Sequence, residues 1–89
     1  MDDTEINFDA PASIRKWPSI SGQRVTTPRY KGPYLLFDGT LDECIRKFMS
    51  KSESSRNLYE IHTAPQGQFV TAVLSADHII ELVRLQDFL

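Results

Sequence analysis

Tyr34-Leu35-Leu36-Phe37-Asp38-Gly39-Thr40-Leu41-Asp42-Glu43-Cys44-Ile45-Arg46-Lys47-Phe48-Met49 passes from a strand pattern to a helix pattern. The apolar run Tyr34–Phe37 stands between Gly32-Pro33 and Asp38-Gly39, and that bracketing predicts a short, largely buried strand. Thr40 is the expected N-cap of the helix. Glu43 stands three residues on, the spacing of a capping box, and Asp42 adds negative charge where the helix dipole favours it. Leu41, Cys44, Ile45, Phe48 and Met49 recur at intervals of three and four, so one apolar stripe runs along this helix.

C-terminal to this pair, Ser50 to Arg56 is polar and serine-rich and reads as a loop. Leu58 to Thr63 alternates, with Tyr59, Ile61 and Thr63 on one face and Glu60 and His62 on the other. That is the pattern of a half-buried strand. Ala64-Pro65-Gln66-Gly67 carries turn chemistry, and Phe69 to Leu74 reads as a third strand, apolar on both faces and therefore central. Ser75 caps a second helix with Asp77 in its first turn. Its apolar arc takes in Ala76, Ile79, Ile80 and Val83 on one stripe and Leu82, Leu85 and Leu89 on another.

Connection rules turn these elements into an α+β fold. A strand–helix–strand crossover makes the first two strands parallel, and the hairpin reverses the third. With the third strand central, the sheet order is 1-3-2 with antiparallel neighbours and two helices on one face. The expectation is a compact βαββα domain over residues 33–89 with a three-stranded, mainly antiparallel sheet. One sheet face is then left open, to be covered by a second copy or by the N-terminal segment.

Residues 1–32 read as a charged N-terminal arm, extended or partly disordered. Asp2, Asp3, Glu5 and Asp9 are followed by Arg15, Lys16, Arg24, Arg29 and Lys31 with no acid among them. The segregation matters more than the formal net charge of −2, which implies no general attraction to nucleic acid or anionic membrane. A third possibility docks the arm on the domain, with Val25-Thr26-Thr27 as an edge strand and Trp17 or Ile20 over the open face. No stretch approaches the ~18 apolar residues of a membrane span. The acidic, interrupted start MDDTEINFDAP lacks the pattern of a secretory leader. The expected location is cytoplasmic.

Chemistry finds little purchase in this chain. One cysteine, Cys44, excludes an intramolecular disulfide and any multi-cysteine metal site. Its place on the helix stripe makes it a small core hydrophobe before it is a nucleophile. His62 beside Glu60 and His78 beside Asp77 lack the spacing of converging metal ligands. A general acid–base role for either histidine requires the two rings to share a pocket. No phosphate-binding glycine loop or nucleophile elbow is present. We therefore expect no enzyme, no catalytic residues, no cofactor and no metal.

What remains is contact. The primary expectation is a small intracellular protein-interaction module, a homodimer or a binder of another protein, using Leu82, Leu85, Phe88 and Leu89. The alternative is nucleic-acid binding by Arg15, Lys16, Trp17, Arg24, Arg29, Tyr30 and Lys31, where cations interleave with aromatics able to stack on bases. No membrane partner is expected.

Overall fold

The computed structural model describes residues 6–25 and 32–88. Its centre is β1 (Pro11–Lys16), which pairs antiparallel on one side with β4 (Tyr34–Thr40) and on the other with β5 (Tyr59–Thr63). A two-residue strand, β6 (Val73–Leu74), completes a four-stranded sheet of order β4-β1-β5-β6. β2 (Ser19–Ile20) and β3 (Gln23–Arg24) form a separate hairpin ribbon, turned through Ser21 and Gly22 in left-handed conformations.

This corrects the three-stranded 1-3-2 order. β4 and β5 are each antiparallel to β1 and hence parallel to one another, as the crossover requires, and a strand does stand between them. That strand is not Phe69–Leu74 but Pro11–Lys16, from the segment expected to be an extended or partly disordered arm. β1 supplies the pairing of the N-terminal segment with the sheet, and of the alternative edge strand Val25-Thr26-Thr27, Thr26 and Thr27 lie outside the described residues. Pro11–Lys16 holds only one large apolar residue, yet Ile14 is 1% exposed and sits opposite both Phe37 and Ile61. An inner strand satisfies its backbone donors and acceptors on both sides, which removes the cost of burying them.

Phe69–Leu74 fails as a central strand for a local reason. Gly67, at φ +56, lets Gln66 and Val70 pair across a tight loop, with N···O distances of 2.8 and 3.2 Å. Val70 and Leu74 are drawn fully into the core, while Thr71, Ala72 and Val73 face outward. Only two residues are left to extend the ladder beside β5.

Helix α1 (Leu41–Met49) starts at the expected capping box. The Thr40 hydroxyl accepts from the Glu43 N–H at 3.1 Å and the Glu43 carboxylate accepts from the Thr40 N–H at 3.0 Å. Such a cap contributes about 1 kcal/mol. Two further orphan donors are met from the N-terminal segment: Leu41 N–H donates to the Ala10 carbonyl and Asp42 N–H to that of Phe8, both at 2.8 Å. A Cβ at Gly39 would stand 2.5 Å from the Phe37 ring and 2.9 Å from the Glu43 carboxylate, so a larger residue there must displace those side chains. A 3-10 helix (Glu53–Leu58) replaces most of the expected polar loop. Helix α2 (Ala76–Phe88) follows Ser75.

The two helices pack on one face of the sheet. Leu41, Cys44 and Phe48 of α1 and Ile79 and Leu82 of α2 join Ala12, Ile14, Tyr59 and Ile61 in one core cluster. The opposite face carries Ser13, Arg15, Glu60 and His62. Among the described residues no helix is long and apolar enough to cross a membrane.

The inner place of β1 is testable. Ile14→Ala should lower the unfolding free energy by about 2–4 kcal/mol, the range for emptying a buried aliphatic site, read as a lower urea midpoint. Removal of residues 1–17 should abolish cooperative unfolding, whereas a fragment that still unfolds cooperatively would mean that residues from Pro33 onward fold without β1.

Candidate functional site

Glu60 organises the face of the sheet opposite the helices. The alternation of β5 puts it on the face expected to be solvated, yet it is only 8% exposed. Its two carboxylate oxygens are taken separately. Trp17 Nε1–H donates to Oε1 at 2.5 Å, and His62 Nε2 lies 2.5 Å from Oε2. Trp17 reaches it because its backbone N–H continues the ladder beyond β1, donating to the Leu58 carbonyl at 2.7 Å. The Arg24 guanidinium then lies 5.0 Å from the Trp17 ring centre and donates through Nε and Nη2 to the Asn57 carbonyl. A buried carboxylate thus gathers an indole, an imidazole and, through the indole, the β2–β3 hairpin.

This network occupies much of the basic-aromatic set named for nucleic acid. Trp17 and Arg24 are engaged as above. Arg15 is half-buried opposite Glu60, with Nε 3.4 Å from the Ser13 hydroxyl. Lys16 Nζ stands 5.9 Å from the Tyr59 ring centre, and Lys51 Nζ 5.3 Å from the same ring. Arg29, Tyr30 and Lys31 lie outside the described residues. Of the four α2 positions, Leu82 is 2% exposed and belongs to this chain's own core, while Leu85 is half-buried. The side chain of Phe88 and residue Leu89 lie outside the described residues.

The histidines do not come together. His62 is on the open face with Glu60, whereas the His78 Nε2–H donates to the Phe69 carbonyl at 2.7 Å and ties α2 to the loop above the core. Among the described residues no three His, Cys, Asp or Glu side chains are grouped to hold a metal ion. Cys44 is fully buried, and burial, with Glu43 and Asp38 adding to it, pushes its thiol up to about 11.

A second feature escaped the reading of the sequence. Tyr34, Leu35 and Leu36, expected in a largely buried strand, are 48, 48 and 43% exposed. They stand on β4, the outer strand of the sheet. A register shift at Ile14–Arg15 sets Phe37 opposite Ile14 and Leu35 opposite Arg15, which leaves Leu36 as the extra residue of a bulge. Tyr34 also borders an open cleft of about 300 Å³ with Lys16, Pro18, Ser19, Val25 and Ile20, the last 70% exposed. Pro33 was the available signal, since proline at a strand start marks an edge or first position.

Comparison with family models, with curated proteins and with solved structures finds no match to this chain.

The Cys44 environment predicts alkaline behaviour with a definite sign. The folded state holds the thiol proton more tightly than the unfolded chain, so stability should fall as pH rises from 9.0 through about 11. Cys44→Ser should remove that component of the pH dependence. At pH below this window the native protein should react with a disulfide reagent only as fast as it opens; rapid labelling of folded protein would contradict the burial.

Proposed function

We propose that this chain is a small non-catalytic protein-interaction module whose working surface is the outer edge of the sheet. The observation that carries the reading is the consecutive exposure of Tyr34, Leu35 and Leu36 on β4, beside the cleft that Tyr34 shares with Ile20. Adjacent large apolar groups on an outer strand favour association, because their burial against another surface removes them from water. The bulge at Leu36 interrupts the regular edge, so side-chain packing is the primary contact and backbone pairing is confined to the regular stretch beyond it. This relocates the surface from the end of α2, where Leu82 is consumed by the core.

The partner is a protein, and a second copy of this chain is the first to consider, since a patch that meets itself across a two-fold axis is the commonest arrangement of oligomers. The nucleic-acid alternative draws less support. The Trp17 indole N–H is committed to Glu60 and its ring is shared with Arg24. Stacking of a base on the ring face that Arg24 covers would have to displace Arg24.

Sedimentation from micromolar to near-millimolar concentration tests self-association. The wild-type mass should rise with concentration, and Leu36→Lys, which puts a charge on the patch without touching the core, should remain monomeric throughout. A wild type that stays monomeric overturns self-association, and an undiminished rise in Leu36→Lys overturns the β4 assignment.

A further inference from the structure

The open face holds a buried carboxylate whose two oxygens are divided between an imidazole and an indole that anchors a hairpin. We propose that Trp17, Glu60 and His62 form a proton-linked lock, in which protonation of His62 tightens the docking of Trp17, and with it the β2–β3 hairpin, on the sheet.

The argument begins with Glu60. A carboxylate removed from water is costly unless it is paired and hydrogen-bonded. Neutral His62 offers Oε2 an N–H dipole, whereas protonated His62 offers a charge-assisted hydrogen bond, about twice as strong. The docked arrangement, in which the indole N–H is bound to the buried Glu60 carboxylate, therefore gains when His62 carries its second proton. Releasing that proton leaves the carboxylate more dependent on water, which reaches it when Trp17 lifts away.

The surrounding charges do not replace this contact. On β1, Arg15 stands opposite Glu60 in register, but its guanidinium Nε lies against the Ser13 hydroxyl at 3.4 Å. On β4, Asp38 pairs in register with Ser13, which pairs with His62 on its other side. On β3, Arg24 lies over Trp17 and is bound to the Asn57 carbonyl. On β6, the residue opposite His62 is Val73, which carries no charge.

Consequences extend beyond the pair. Pro18 and Ser19 follow Trp17 directly, Val25 N–H donates to the Pro18 carbonyl at 2.7 Å, and all three line the cleft beside Tyr34. Loosening Trp17 therefore loosens one wall of that cleft. The inference stands on the Glu60 contacts alone and does not need the proposed interaction surface.

Trp17 is the chain's one tryptophan and His62 one of its two histidines, so the test is direct. Acrylamide quenching of Trp17 emission would be measured at about pH 5.5 and about pH 8, on either side of the range in which imidazoles change charge. Far-UV circular dichroism would establish that the fold is the same at both. Wild type should show roughly twofold weaker quenching at the lower pH, as expected for a shift in local opening. His62→Gln should abolish the difference and His78→Gln should retain it. Equal quenching in wild type at the two pH values, or a difference that survives in His62→Gln, would overturn the proposal.

Discussion

Everything in this fold depends on the pairing of Pro11–Lys16 along both of its edges. Without it, β4 and β5 would be parallel strands held apart by the width of one strand, with no ladder between them. With it, Ile14 joins Phe37 and Ile61 across three strands, and α1 and α2 acquire a continuous apolar floor. The same segment reaches the helix end as well, since Phe8 and Ala10 accept from the first backbone donors of α1. One strand thus fixes the sheet order, the helix layer and the entry of the crossover helix.

The constraint has consequences for both faces and for the edge. Because β1 lies inside, the chain leaves it through Trp17 beside β5, and the indole is delivered to Glu60. Polar alternation along β5 then yields a buried, fully partnered carboxylate in place of a solvated one. The same placement pushes β4 to the outside. Its Tyr34-Leu35-Leu36 run, apolar enough for an interior, faces water on an outer strand, and the bulge at Leu36 limits how regularly another strand could align there.

Local features were legible in the residues. The α1 capping box forms with the atoms named from Thr40 and Glu43, and the Leu41–Phe48 stripe is buried as its spacing requires. β5 begins and ends close to its alternating pattern, and α2 follows Ser75. Misreadings cluster where a residue's fate depends on a distant segment. Leu82 looked like surplus apolar surface because the breadth of the core under α2 depends on Val70 and Leu74, which the Gln66–Val70 loop draws inward. Trp17 meets the open face, as the docked-arm alternative has it, whereas the nucleic-acid alternative treats Trp17 and Arg24 as free contacts because their partners, Glu60 and Asn57, are 43 and 33 residues away.

The sequence by itself determined two helices, their caps, the parallel sense of β4 and β5, and a thiol placed for burial. These follow from interactions within about four residues or from the length of a crossover, and such rules act before the chain is compact. Tertiary structure alone decided which segment fills the gap between β4 and β5, that Glu60 on the polar face of β5 is buried, and which apolar run stays outside. Strand pairing is satisfied by any backbone that can reach. The choice among candidates is therefore made by the summed burial of Ala12, Ile14 and their neighbours, a quantity that exists only once the distant strands have met.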